Sequence, residues 1–331
     1  MGLPRYDELP VTPGSPPGSS WGVWGAHDEL GTLNLLGDAA TLAAVGTVRR
    51  GAVFPLQLPL HEPRPGVVWR TEPQHHLLHV GHEARPAPTG GTDDPSAGFV
   101  DRDDYVDGLW LQGSSQWDGL THIRHPDHGN YNGVADADIH GRPGSRLGID
   151  RWADRGVVGR GVVVDVAGWF DAQGDPLDLG SARQITAAEL DATLAHQGTE
   201  LVEGDILLLH TGWLARLMAL DPDDRVPLLD PRAQHVPGLA VERDTLAWLW
   251  DHHVAAVAAD NVGVEACGPG LRFDLHPELL ALLGMPLGEY WWLADLAADC
   301  RTHGTYEALL VSVPLNLRGA VGSPAQAIAI R

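Results

Sequence analysis

Two stretches decide the class of fold: Arg160-Gly161-Val162-Val163-Val164-Asp165-Val166, and Gly204-Asp205-Ile206-Leu207-Leu208-Leu209-His210-Thr211-Gly212-Trp213. Each is an unbroken apolar run that opens at a glycine and closes on polar groups. Without alternation there is no wet face, so both read as strands covered on both sides. Between them, Thr186-Ala187-Ala188-Glu189 forms a Thr-x-x-Glu capping box that opens a helix to about His196. Beyond them, Asp244 or Thr245 starts a helix through His252, followed by a strand from Val254 to Ala259 and then Asp260. Strands and helices alternate, which predicts one α/β domain over 21–331 with a mixed sheet flanked by helices. Asp165, His210 and Asp260 all fall at strand ends, the edge where α/β proteins bind ligands. Taken singly, Asp165 and Asp260 read as hydrogen-bonded turn carboxylates.

Working outward, residues 1–20 are rich in Pro, Gly and Ser, lack a signal-peptide pattern and are expected to be mobile. Asp28 is placed to cap a short helix that ends near Gly37, and Val53–Leu60 reads as a strand. The stretch from Pro63 to Asp104 is loop-rich, with His75, His76, His79 and His82 at a spacing that suits exposed alternate positions of a strand. His276 to Leu283 reads as a helix stopped by Gly284, followed by an extended segment that carries Glu289. Leu293–Cys300 is a short helix, Leu309–Val313 is a last apolar strand, and a Gly/Ser/Pro loop from Gly319 to Pro324 leads to Ala327-Ile328-Ala329-Ile330.

The chain of 331 residues has 44 acidic and 22 basic residues, a net charge of −22. That balance speaks against nucleic acid and anionic membranes as partners. Every basic residue is arginine, which removes Schiff-base and P-loop lysine chemistry. Cys267 and Cys300 stand alone, and no apolar run reaches membrane-spanning length, so a cytoplasmic enzyme with a small-molecule substrate is expected. Neither a Gly-x-Ser-x-Gly elbow nor a Gly-x-Gly-x-x-Gly loop is present.

The chemistry concentrates in Gln116-Trp117-Asp118-Gly119-Leu120-Thr121-His122-Ile123-Arg124-His125-Pro126-Asp127-His128. A carboxylate and imidazoles together suit zinc, manganese or iron(II). Asp118, His122 and His125 are the candidate metal ligands, although the spacing is no standard zinc motif and a polar surface loop is the competing reading. Gln116, Trp117 and Trp24 are the candidate substrate contacts, with core packing as the alternative for both tryptophans.

These residues resemble the cyclase family of metal-dependent hydrolases, the group that includes bacterial kynurenine formamidase and isatin hydrolase. The family's mark is His-x-Gly-Thr-His-x-Asp-x-Pro-x-His. Here Asp118 stands at its first histidine, while Thr121, His122, Pro126 and His128 match it. Arg124 stands at the aspartate that can bridge two metals, and a guanidinium cannot bind a cation. The runs around Asp165, His210 and Asp260, the Asp28-to-Asn34 stretch and the terminal Gly322-Ser323-Pro324 extend the likeness over most of the chain.

The resemblance implies a swivelling β/β/α fold and homodimers or homotetramers. It further implies one divalent ion, Zn2+ or Mn2+, with His128, His276 and Glu289 as catalytic residues. The activity it implies is hydrolysis of a C–N amide or a related cyclic amide or ester by metal-activated water, with arylformamidase-like specificity. A metal-dependent cyclase or dehydratase of secondary metabolism and a degenerate binding protein are the alternatives.

Overall fold

A computed structural model describes residues 2–63, 70–80, 101–271 and 274–331. The strands in chain order are β1 (Val53–Pro55), β2 (Gln74–Val80), β3 (Asp101–Asp107), β4 (Gln116–Asp118), β5 (Val157–Asp165), β6 (Gln184–Ile185), β7 (Ile206–His210), β8 (Gly238–Leu239), β9 (Ala256–Ala259), β10 (Leu287–Glu289), β11 (Glu307–Ser312), β12 (Gly322–Pro324) and β13 (Ala327–Ile330). Nine of them form one mixed sheet in the order β1-β13-β11-β5-β7-β9-β10-β4-β12. Its centre, β5-β7-β9-β10, is parallel, and the strands outside that centre pair antiparallel. The α/β expectation with a mixed sheet core holds.

The two apolar runs are β5 and β7, paired Gly161 with Ile206 through Asp165 with His210. Side chains alternate across the sheet, so Val163 and Leu208 enter a core with Trp117, Trp152 and Leu310 on one face. Val162, Val164, Leu207 and Leu209 enter a second core on the other, with Leu249, Val257 and Leu287. Burial on both faces explains why the runs never alternate with polar residues.

Thr186 caps the helix Ala187–Gln197 through the expected reciprocal pair with Glu189. The expected strand over Val53–Leu60 is shorter, ending at Pro55, because its partner β13 begins at Ala327, whose carbonyl accepts the Leu56 amide as the last bond of the ladder. Asp28 accepts from the Gly31 amide at 2.8 Å, but the turn it opens is 3-10, Gly31–Leu35. The histidine-rich strand is β2, where His75 meets Asp104 at 2.9 Å and His76 stacks on Tyr105. His82 lies outside the described residues.

The N-terminal segment differs from the mobile tail expected. Tyr6 and Leu9 are buried, the Trp250 indole donates to the Pro4 carbonyl at 2.8 Å, and the Ser20 hydroxyl donates to the Leu283 carbonyl at 2.9 Å. A few apolar anchors outweigh the Pro/Gly/Ser composition. No helix among the described residues is long and apolar enough to cross a membrane.

The polar strand ends at Asp165, His210 and Asp260 are a buried structural network. Asp165 caps the following helix at Gly168, receives Arg301 at 2.7 Å and touches His210 Nδ1 at 2.7 Å. Asp260 accepts from the Thr211 amide and hydroxyl and from the Gly212 amide, and lies 3.8 Å from His210 Nε2. Burial alone would lower the His210 pKa, but the Asp260 and Asp165 carboxylates outweigh it and raise it.

A raised folded-state histidine pKa stabilises fully below the ordinary value of about 6.5, and that stability is lost as pH rises through the folded value. Each tenfold gain in proton affinity on folding is worth roughly 1.4 kcal/mol. His210→Asn is therefore expected to lose stability at pH 6 and to show a flatter decline from pH 6 to 9 than the wild type. Urea midpoints across that range are the check, and parallel pH curves for the two proteins would contradict the charged His210.

Candidate metal centre

The centre is assembled by β4, β10 and the π-helical turn Pro277–Leu283. On β4, Gln116 and Asp118 face one side and Trp117 the other, as strand geometry requires. β10 runs antiparallel beside it with Glu289 opposite Gln116 and Leu287 opposite Asp118. Gln116 Nε2 accordingly donates to Glu289 Oε2 at 2.5 Å. His276 sits at the start of the π-helical turn, and its Nε2 lies 2.9 Å from Glu289 Oε1 and 3.8 Å from Asp118 Oδ2. Asp118, His276 and Glu289, all buried, bring one ligand atom each to within 4.8 Å of one another.

Asp118 is fully buried and neither carboxylate oxygen has a hydrogen-bond partner among the described residues. Burial first, and then the charge of Glu289, raise its pKa well above the ordinary carboxylate range. A bare buried carboxylate beside a second one is costly unless a cation compensates both. His122 Nε2 is 3.7 Å from Asp118 Oδ1. Burial pushes the His122 pKa down to about 4, so the ring is neutral at pH 7 with a lone pair to give. Burial would also lower His276, but Glu265 and Glu289 on either side outweigh it and raise its pKa well above the usual imidazole value.

A cavity of about 170 Å³ opens onto this cluster, lined by His122, His276 and Glu289 and by the apolar Ile123, Leu229 and Val262. Gln234 also lines it, is 4% exposed, and makes no side-chain hydrogen bond among the described residues. Arg70 stands in the wall and donates to the Gln112 carbonyl at 2.5 Å.

The structure brings together five of the residues singled out in the sequence: Gln116, Asp118, His122, His276 and Glu289. It places four others elsewhere. His125 Nδ1 accepts the amides of Asp127 and His128, and Nε2 meets Glu278 at 3.3 Å, so neither ring nitrogen faces the cluster. The turn closed between His125 and Gly129 sends His128 to the surface, stacked on His125. Trp117 is fully buried in the core against Trp152 and Trp291 and donates to Ser312, and Trp24 packs edge-on against Trp250. None of the four lines the cavity. Arg124 is exposed and 3.6 Å from Asp136.

Sequence reasoning missed Glu265, Gln234 and Arg70. Glu265 carried a signal, a carboxylate alone in the apolar run Val262-Gly263-Val264-Glu265-Ala266. Gln234 and Arg70 carried none, because a polar residue in a loop looks the same whether it faces a pocket or bulk water.

A family profile described as "Putative cyclase" matches residues 62–266. A solved structure described as a novel cyclase is 34% identical, with 95% of this chain and 99% of that one covered and a TM-score of 0.81. Isatin hydrolase A from Labrenzia aggregata, bound to benzyl benzoate, is 17% identical over 90% of this chain and 98% of its own, with a TM-score of 0.54. Isatin hydrolase A from Ralstonia solanacearum is 17% identical over 88% and 95%, with a TM-score of 0.52. At that identity the two hydrolases share the fold. No curated protein matches the chain. With the family profile spanning most of its length and the novel cyclase nearly all of it, the chain belongs to the cyclase family.

Proposed function

We propose that the protein is a metal-dependent hydrolase that cleaves a small amide, lactam or lactone. The observation that carries this reading is Asp118, fully buried with neither oxygen hydrogen-bonded among the described residues, which brings a ligand atom to within 4.8 Å of one from His276 and one from Glu289. Asp118, His122 and His276 would hold one divalent ion, a two-imidazole, one-carboxylate set that suits zinc or manganese. When bound, the ion supplies Lewis-acid polarisation of the substrate carbonyl and lowers the pKa of water at the site.

The chain's own residues do the rest. Glu289 is the one carboxylate among the described residues lining the cavity, and Gln116 holds one of its oxygens, Oε2. It takes the proton from the attacking water and returns it to the leaving nitrogen or oxygen. Ile123, Leu229, Pro231 and Val262 hold an apolar substrate body against the reacting side, and the Gln234 carboxamide offers it a hydrogen bond. The cavity is smaller than those that take drug-sized ligands, so the substrate is small.

Turnover of a panel of small aromatic amides, lactams and lactones in 18O-labelled water tests the reading. The expected product acid carries one label, a chelator abolishes turnover, and Zn2+ or Mn2+ restores it. Glu289→Gln should retain the ion and lower turnover by roughly a hundred-fold, the scale of acid/base assistance. Unlabelled, ring-closed or dehydrated products would point to cyclase or dehydratase chemistry at the same centre.

A further inference from the structure

Glu265 is a buried carboxylate that the hydrolytic reading does not use. Its Oε1 accepts the backbone amides of Leu275 and His276 at 3.1 and 3.3 Å, and its Oε2 lies 2.8 Å from His276 Nδ1. The turn that delivers it is held from several sides. Asn261 accepts the Val264 amide at 2.7 Å and donates to the Pro237 carbonyl at 2.8 Å. β8 approaches so closely that a Cβ on Gly238 would stand 2.4 Å from the Glu265 carbonyl carbon. Val264, the residue before it, has φ +61°, a left-handed conformation that a β-branched residue adopts only under constraint. Such strain persists where the surroundings over-determine the backbone, and here it aims one side chain at one ring nitrogen.

We propose that Glu265 is a positioning residue, which holds the Nδ1 proton of His276 so that Nε2, the nitrogen facing Asp118 and Glu289, is the one that meets the ion. The inference rests on His276 being a metal ligand. A carboxylate behind a ligating imidazole fixes the ring's orientation and strengthens it as a donor, and removing such a partner typically costs 10- to 100-fold in metal affinity. Two backbone amides meet Oε1 and the His276 Nδ1 stands at ion-pair distance from Oε2, so glutamine, with a single acceptor oxygen, cannot replace this carboxylate.

The test compares wild type, Glu265→Gln and Glu265→Asp by Zn2+ affinity in chelator competition and by NMR of 15N-histidine-labelled protein. We expect Glu265→Gln to bind zinc about 10- to 100-fold more weakly and to lose a slowly exchanging Nδ1–H signal of His276 that the wild type shows. Glu265→Asp, which keeps the charge at shorter reach, should fold, keep that signal and bind zinc more weakly than the wild type, and it decides the matter if Glu265→Gln does not fold. Zinc affinity within threefold of wild type in either folded variant, or a wild-type His276 without an Nδ1 proton, overturns the proposal. A wild type that binds no zinc would sink the hydrolase reading instead, and the Nδ1–H signal, read without metal, would still decide the part played by Glu265.

Discussion

Asp118→Asn is expected to abolish metal binding and, in the same protein, to make the metal-free fold more stable than the metal-free wild type. The two effects share one origin. Asp118 is sealed from water beside Glu289, and its pKa is raised by burial and by that neighbouring charge. A carboxylate whose folded-state pKa lies above its unfolded value costs stability at neutral pH, and the cost is relieved only as pH falls through the folded value. Asparagine removes the charge without removing volume, and each tenfold by which folding weakens the Asp118 acid costs roughly 1.4 kcal/mol at neutral pH, which the variant recovers.

Wild-type protein gains the opposite way, by about 4 kcal/mol when the ion is present at a thousandfold excess over its Kd. Elemental analysis and urea denaturation with and without a chelator give both numbers. The expected content is one ion per wild-type chain and none in the variant. An Asp118→Asn protein that keeps a full complement of metal would remove Asp118 from the ligand set.

His276→Leu is expected to be among the most destabilising single changes in the chain, at roughly 3–5 kcal/mol, the cost of leaving a buried charge without its partner. His276 is the positive group that touches Glu265, Glu289 and Asp118 together. Its removal leaves three carboxylates facing an apolar side chain. The double variant Glu265→Leu/His276→Leu should recover part of the loss, because it removes one of the stranded charges. Chelator-treated proteins compared by urea denaturation isolate this effect from metal binding. A loss below about 1 kcal/mol for His276→Leu would mean that the pair is not ionised.

The sheet was legible where its physics is local. β5 and β7 announce themselves because burial on both faces demands continuous apolar runs, and the Thr186 cap because its residues satisfy each other within one turn. The centre was half legible. Asp118 and His122 lie four apart on one segment, whereas His276 and Glu289 reach them only because β10 pairs beside β4, a contact that no spacing encodes. His125 and His128 fell away because the chain between them turns and folds the second imidazole back over the first. Helical spacing would have aimed both at one point, and Pro126 excludes it.

β4 is three residues long and carries a core tryptophan between two polar residues of the centre. A slip of one residue would invert all three, sending Asp118 into the apolar core and Trp117 into the cavity. The strand is locked against that slip from both edges, by Leu287 of β10 and by Gly322 of β12, each paired with Asp118. Gly322 is fitted to the lock, since a Cβ there would come within 2.7 Å of the Trp117 carbonyl oxygen. The indole of Trp117, anchored among Trp152 and Trp291, thus acts as the index pin that sets which way the candidate metal-binding carboxylate points.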